Sequence, residues 1–248
     1  MKNPLKFAFV MLIVWLMAAC EKQPINSSNT GSFNLEFEHV WGTGDTPFFL
    51  NEVYVQPSTG DTISIHTLKF YISNLRLRKT DGSYWQEPNS YHLISPERNE
   101  LEIALIPNGD YTNLEFEIGI DSSQNSSGLH FGDLDTSNGM FWNVTKGFIF
   151  IKIEGSSPQA NNHSFSYHIG GYQSPFNAIN SRQFSFGSEV MGISPNANPK
   201  IHLKLNVSDV WNGAISLKNT NIIQVPGNNA VSFAKAFAEA LQFEHLHQ

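Results

Sequence analysis

Residues 33–41 read FNLEFEHVW. Phe33, Leu35, Phe37, His39 and Trp41 fall on one side of an extended chain, with Asn34, Glu36, Glu38 and Val40 on the other. Strict alternation marks a β-strand with one buried face, because successive side chains of a strand point to opposite sides. LEFEIGI repeats it with Leu114, Phe116, Ile118 and Ile120, and KIHLKLNV repeats it with Ile201, Leu203, Leu205 and Val207. FIFIKI (148–153) is apolar on both faces, as expected of a central strand covered from two sides. Turn clusters punctuate these runs: PSTGD, KTDGS, PNGDY and DSSQNSSG.

One helix is expected near the C-terminus. In PGNNAVSFAKAFAEAL, Phe233, Phe237 and Leu241 recur at i, i+4 and i+8 after a Pro-Gly-Asn-Asn start that offers caps. The reading is therefore all-β: an antiparallel, Greek-key-like β-sandwich with a short C-terminal helix. The connection from Ser122 to Gly139 is too long for a hairpin turn, and loops of that length are usually functional or mobile.

The N-terminus reads as an address. Lys2 and Lys6 precede the apolar stretch FAFVMLIVWLMAA, which ends in small residues before Cys20, the layout of a secretory signal. Met17-Ala18-Ala19-Cys20 resembles a bacterial lipobox, in which the cysteine is acylated and becomes the first residue. The expected organisation is a lipoprotein signal peptide over 1–19, an acylated Cys20 with a flexible tether over 20–31, and one β domain over 32–248. Such a chain is anchored to the membrane rather than spanning it. The expected location is the cell envelope, as an outer-membrane lipoprotein facing the periplasm or the surface. Cys20 is the only cysteine, which excludes an internal disulfide and a thiolate-rich zinc centre.

Net charge is −7, and loss of Lys2 and Lys6 with the leader takes it to −9. An acidic surface opposes nucleic-acid binding, which needs a basic face. No H-E-x-x-H, G-x-S-x-G, P-loop or dinucleotide fingerprint occurs, so no enzymatic activity is expected.

Nine histidines are the main chemical resource. His39 falls on the apolar face of its strand, where a buried imidazole needs a partner. That partner is a metal, a backbone carbonyl or a hydroxyl. In the terminal FEHLHQ, an extended chain puts His245 and His247 on the face of Phe243, a spacing that lets two imidazoles meet one ion. His168 alternates away from Phe165, Tyr167 and Ile169 just before Gly170-Gly171. His202 alternates with Leu203 and Leu205 and is expected to face water. Imidazoles with an optional thioether suit copper, and Met140 is the thioether nearest a candidate loop. Met140 and Trp142, in GMFW before the central strand, read as core on burial statistics.

FEHVWG, LNEVY, TLKFYISNLRL, YHLIS, IPNGDYTNLEFEIGID, GDLDTSNGMFWNVTKGFIFIKIEG, FSYHIGG and FEHLH occur in this order. Together they resemble the MbnP-like family of secreted, copper-associated β proteins, many of them Bacteroidetes lipoproteins. The resemblance implies copper as the cofactor and a di-haem partner of the MbnH type, which can oxidise a Trp of the domain to kynurenine. Carried across by motif, it makes His39, His168, His245 and His247 ligand candidates, Trp142 and Trp41 the candidates for oxidation, and Met140 a possible soft ligand. Val144 stands where the family segment has a second Trp, and Phe148 where Tyr is common. The competing expectation is a metal-free surface module that binds a glycan, peptide or partner protein through the Ser122–Gly139 and Gly170–Phe184 loops.

Overall fold

The computed structural model describes residues 29–126, 130–211 and 215–248. The expected signal peptide, Cys20 and most of the expected tether lie outside the described residues. Nine strands carry the architecture: β1 (Thr30–Trp41), β2 (Thr62–Lys79), β3 (Glu100–Pro107), β4 (Gly109–Ile118), β5 (Ile151–Ser156), β6 (Ser164–Ile169), β7 (Asn180–Ser185), β8 (Lys200–Asn206) and β9 (Leu241–His247). A smaller sheet has the order β9-β8-β1, with β3 also pairing β1. A larger one runs β7-β4-β2-β5-β6 and ends on Ile222–Ile223. Among the described residues, no helix is long and apolar enough to cross a membrane.

The all-β sandwich expectation holds, but the sheets are mixed rather than purely antiparallel. β1 and β8 run parallel, as do β6 and Ile222–Ile223. Parallel neighbours need a long crossover, and the chain builds the larger sheet between leaving β1 and returning as β8.

The alternation of β1 does what its sequence dictates. Phe33, Leu35 and Phe37 are fully buried and meet the larger sheet, where Phe37 packs edge-on against Phe70 at 5.6 Å between ring centres. Ile201, Leu203 and Leu205 of β8 extend the same apolar face. The helix Asn228–Glu239 packs into this core through Phe233 and Phe237, with Phe237 5.1 Å from Phe70 and Phe233 5.0 Å from Tyr167. Leu241, expected as the third helical apolar residue, is instead the first residue of β9, and it is still fully buried.

Phe70 faces the inside, so Tyr71 beside it points to the opposite face of the larger sheet. Tyr71 is nevertheless fully buried: Phe148 packs edge-on against it at 5.8 Å, and its hydroxyl donates to the Asp133 carbonyl at 2.7 Å. The long connection after β4 thus folds back as a layer over the outer face of that sheet. Burial pushes the Tyr71 hydroxyl well above its ordinary range, with the Asp133 and Asp135 charges adding to the shift. FIFIKI is accordingly covered from both sides, as its composition predicts.

Candidate metal centre

The two foremost ligand candidates do not meet. His39 sits on the inner face of the smaller sheet, its ring 6.5 Å from that of Phe70. Its Nε2 is buried without a hydrogen-bond partner, and desolvation lowers its pKa to about 4 against small opposing effects of a Phe37 backbone hydrogen bond and the Glu97 charge. His168 lies in β6, opposite Lys152 of β5, which in turn stands opposite Lys69 of β2. That is the outer face of the larger sheet. There its Nε2 is 2.8 Å from Glu154 Oε1 and 3.2 Å from Ser166 Oγ. Burial works against ionisation of Glu154, but the His168 hydrogen bond and the Lys152 charge outweigh it and hold the carboxyl below its usual range. Among the described residues, neither His39 nor His168 belongs to a group of three side chains able to share an ion.

The terminal pair does converge, with a third imidazole that alternation alone assigns to water. His202, His245 and His247 place one ligand nitrogen each within 4.8 Å of one another. His202 of β8 stands directly opposite His245 of β9, with stacked rings 4.2 Å apart and 15° between their planes. The His247 ring lies edge-on to both, at 5.0 Å from His202 and 4.7 Å from His245. His245 Nε2 and His247 Nε2 are 3.0 Å apart. Two imidazoles bound tetrahedrally at the usual metal–nitrogen length sit roughly 3.3 Å apart, so the pair is close to ligand spacing without rearrangement.

A single inserted residue creates this geometry. Leu241 and Phe243 point inward from β9, and strict alternation would send His245 and His247 after them. Instead the pairing with β8 skips a residue: Phe243 opposes Leu203, His245 opposes His202, and Glu244 between them has no counterpart. Such a β-bulge reverses the facing of everything beyond it. Leu246 becomes the buried residue, and both histidines turn to the outer face of the smaller sheet. The expected face shared with Phe243 is therefore corrected by the bulge.

His202 faces outward, as its alternation requires, yet is only 9 % exposed. β1 supplies the walls: the parallel register puts Glu36 beside His202 and Glu38 one step along. His202 Nδ1 is 3.3 Å from Glu38 Oε1 and 3.5 Å from Glu36 Oε2. An ionised carboxylate only accepts hydrogen bonds, so Nδ1 is the donor in this contact. The Nε2 of the same ring is buried and has no partner. A buried, unpartnered ring nitrogen beside two converging imidazoles fits a metal ion, and a borderline ion such as copper suits an all-nitrogen set, while Glu36, Glu38 and His202 form a second group within the same spacing.

The remaining candidates lie elsewhere. Trp41 is five residues along β1 from Glu36, roughly 17 Å at strand rise, and is stacked on Tyr54 at 4.8 Å with its Nε1 donating to the Val55 carbonyl. Trp142 packs against Gly170, where a Cβ would lie 2.7 Å from its ring, beside Phe148 on the outer layer of the larger sheet. Both sheets of the sandwich separate it from the three imidazoles. Met140 is fully buried, and its carbonyl accepts from Ile149 N.

Comparison with known proteins adds the family. A family profile described as MbnP matches residues 30–229. Among solved structures, MbnP from Methylosinus trichosporium superposes with a TM-score of 0.53 at 14% identity, over 80% of this chain and 82% of that one. That likeness is one of fold. A search of curated proteins found no match.

Proposed function

The chain belongs to the MbnP family, and from that premise we propose that it is a lipid-anchored, extracytoplasmic copper-handling protein whose ion is held by His202, His245 and His247. The observation that carries the reading is the convergence of the H-x-H pair on His202, a histidine whose Nε2 is buried and unpartnered. The anchor is Cys20, and the role is to bind and present copper rather than to turn over a substrate. The partner is a di-haem protein of the kind the family resemblance implies, with Trp142 as the residue it would oxidise. A kynurenine formed at Trp142 would report contact with that partner without supplying a ligand to the three-imidazole site.

The test is a copper titration of the tag-free protein with intact mass measured on the same sample. One equivalent bound tightly, and lost in His202→Ala, supports the site; a native-host mass matching Trp-to-kynurenine conversion supports the partner. Absence of copper uptake removes the metal reading.

A second reading is supported by Phe131 and Val144, which are 76% and 75% exposed on the layer over the larger sheet. Large apolar side chains so placed suit a protein-binding surface. A pull-down with wild type and Phe131→Ser would show whether a partner depends on that layer.

A further inference from the structure

The layer that buries Tyr71 leaves part of the outer face of the larger sheet open. There Arg76, Gln86, Ser181 and Gln183 are exposed around a cavity of about 430 Å³, a volume that suits a small ligand. From this cavity we infer a second binding site, for an uncharged, hydroxyl-rich ligand: a short oligosaccharide. It lies on the opposite side of the sandwich from the three imidazoles and does not depend on the copper reading.

Strand register builds the cavity. Arg76 of β2 stands between Gln86, in the short strand Tyr84–Gln86, and Glu115 of β4, which in turn opposes Gln183 of β7. Cross-strand partners share a face, so these four side chains form one polar row. Glu117 and Ser181 oppose each other in the next row. Asn74, where the β2–β4 register shifts, donates to Glu117 Oε2 at 2.9 Å.

Part of the lining is fixed and part is spare. The Glu115 side chain is only 9% exposed; it accepts from Arg76 Nε at 2.7 Å and from the Tyr84 hydroxyl at 3.0 Å. The Arg76 guanidinium lies over the half-exposed Tyr84 ring, 5.0 Å from its centre, and holds it beside the row. The side chains of Gln86, Ser181 and Gln183, by contrast, make no hydrogen bond among the described residues. Ser73, opposite Glu117, is fully buried with its hydroxyl unpartnered.

Charge and shape select the ligand class. Both arginines at the cavity are committed, Arg76 to Glu115 and Arg182 to the Leu241 carbonyl, so neither is free to hold a phosphate or carboxylate. An amine would meet Glu117 but also the Arg76 guanidinium that lines the same cavity. Amides and carboxylates each present two hydrogen-bonding atoms in one plane, a spacing that matches neighbouring hydroxyls on a sugar ring. The Tyr84 ring supplies an apolar surface for the C–H side of that sugar.

The experiment titrates the full chain with maltotriose, cellotriose and triacetylchitotriose as neutral probes, and with inorganic phosphate and spermidine as charged ones. Amide NMR maps the contacts and calorimetry measures affinity. At least one trisaccharide is expected to bind with a dissociation constant of about 1 mM or tighter, shifting the amides of Glu115, Glu117, Ser181 and Gln183. Gln86→Ala and Gln183→Ala, both at exposed positions, should each weaken it about fivefold, the effect of losing one hydrogen bond, while His202→Ala leaves it unchanged. Three trisaccharides that leave those amides unshifted overturn the inference, as do shifts confined to other surfaces. Phosphate or spermidine binding there in place of the saccharides overturns it too. None of these outcomes bears on the copper site, whose own titration stands apart.

Discussion

His202 and His245 face each other across the β8–β9 pair with their rings stacked at 4.2 Å, and the bulged residue before His245, Glu244, has no partner on β8. Deleting Glu244 is expected to remove the bulge and restore regular alternation along β9 with the facing unchanged: His245 stays opposite His202, both histidines stay outward and Leu246 stays inward. Copper binding should survive the deletion and stability should change little, because no polar group is moved into the core; loss of binding would show that the site needs the bulge itself. Titration of the deletion variant, with a denaturant curve beside it, checks both effects.

The placement of the histidines separates ligands from bystanders. His168→Ala is expected to leave copper affinity unchanged, since His168 lies on the outer face of the larger sheet against Glu154. His247→Ala should weaken binding about as strongly as His202→Ala. Equal losses at His168 and His202 would contradict the site.

His39 makes acid stability predictable. Its pKa, lowered to about 4 by burial from an ordinary 6.5, means that the unfolded chain binds the proton more readily than the folded one. Stability then rises with pH across this interval: the full contribution is present above about pH 6.5 and is lost as pH falls towards 4. The loss amounts to about 3 kcal/mol at 1.36 kcal/mol per unit. His39→Leu should flatten that segment of the stability–pH curve, measured by urea unfolding between pH 4 and 7.

Gly170 leaves no room for a side chain. A Cβ there would lie 2.5 Å from the Phe148 carbonyl oxygen and 2.7 Å from the Trp142 ring. Gly170→Ala is expected to cost about 1–3 kcal/mol, in the range of other overpacking changes, and to shift the tryptophan fluorescence as Trp142 is displaced. An unchanged midpoint and spectrum would show that the contact is looser than described.

Phe70 touches Phe37 of the smaller sheet and Phe237 of the helix. Truncation to Ala removes both inter-layer contacts at once, at an expected cost of about 3–5 kcal/mol. Thermal or denaturant unfolding of Phe70→Ala gives the value directly.

The faces of β1 and β8 were legible because the side-chain period of a strand is two and neither strand is bulged where the site lies. From FNLEFEHVW and KIHLKLNV alone, Glu36, Glu38 and His202 follow as outward-facing. Their adjacency was not legible, because register belongs to a pair of strands and the partners lie 164 residues apart. His202 was misjudged for that reason: an outward residue becomes buried when a neighbouring strand lays two histidines over it. Glu244 defeated the reading of FEHLHQ, since a bulge breaks the rule that predicts the face. His39 and His168 were linked by motif, and only the sheet assignment shows that they occupy opposite faces of different sheets.

The unpaired Glu244 also provides a parity test for the family. The last inward-facing apolar residues of β9, Phe243 and Leu246, are separated by three positions, an odd step that no regular strand allows between residues on one face. A relative whose terminal apolar residues stand an even number apart can carry the same H-x-H on a regular strand and turn its imidazoles to the same outer face without a bulge. Counting the residues between those two side chains should therefore tell which members need a bulge at this position to present their histidines and which present them on an unbroken strand.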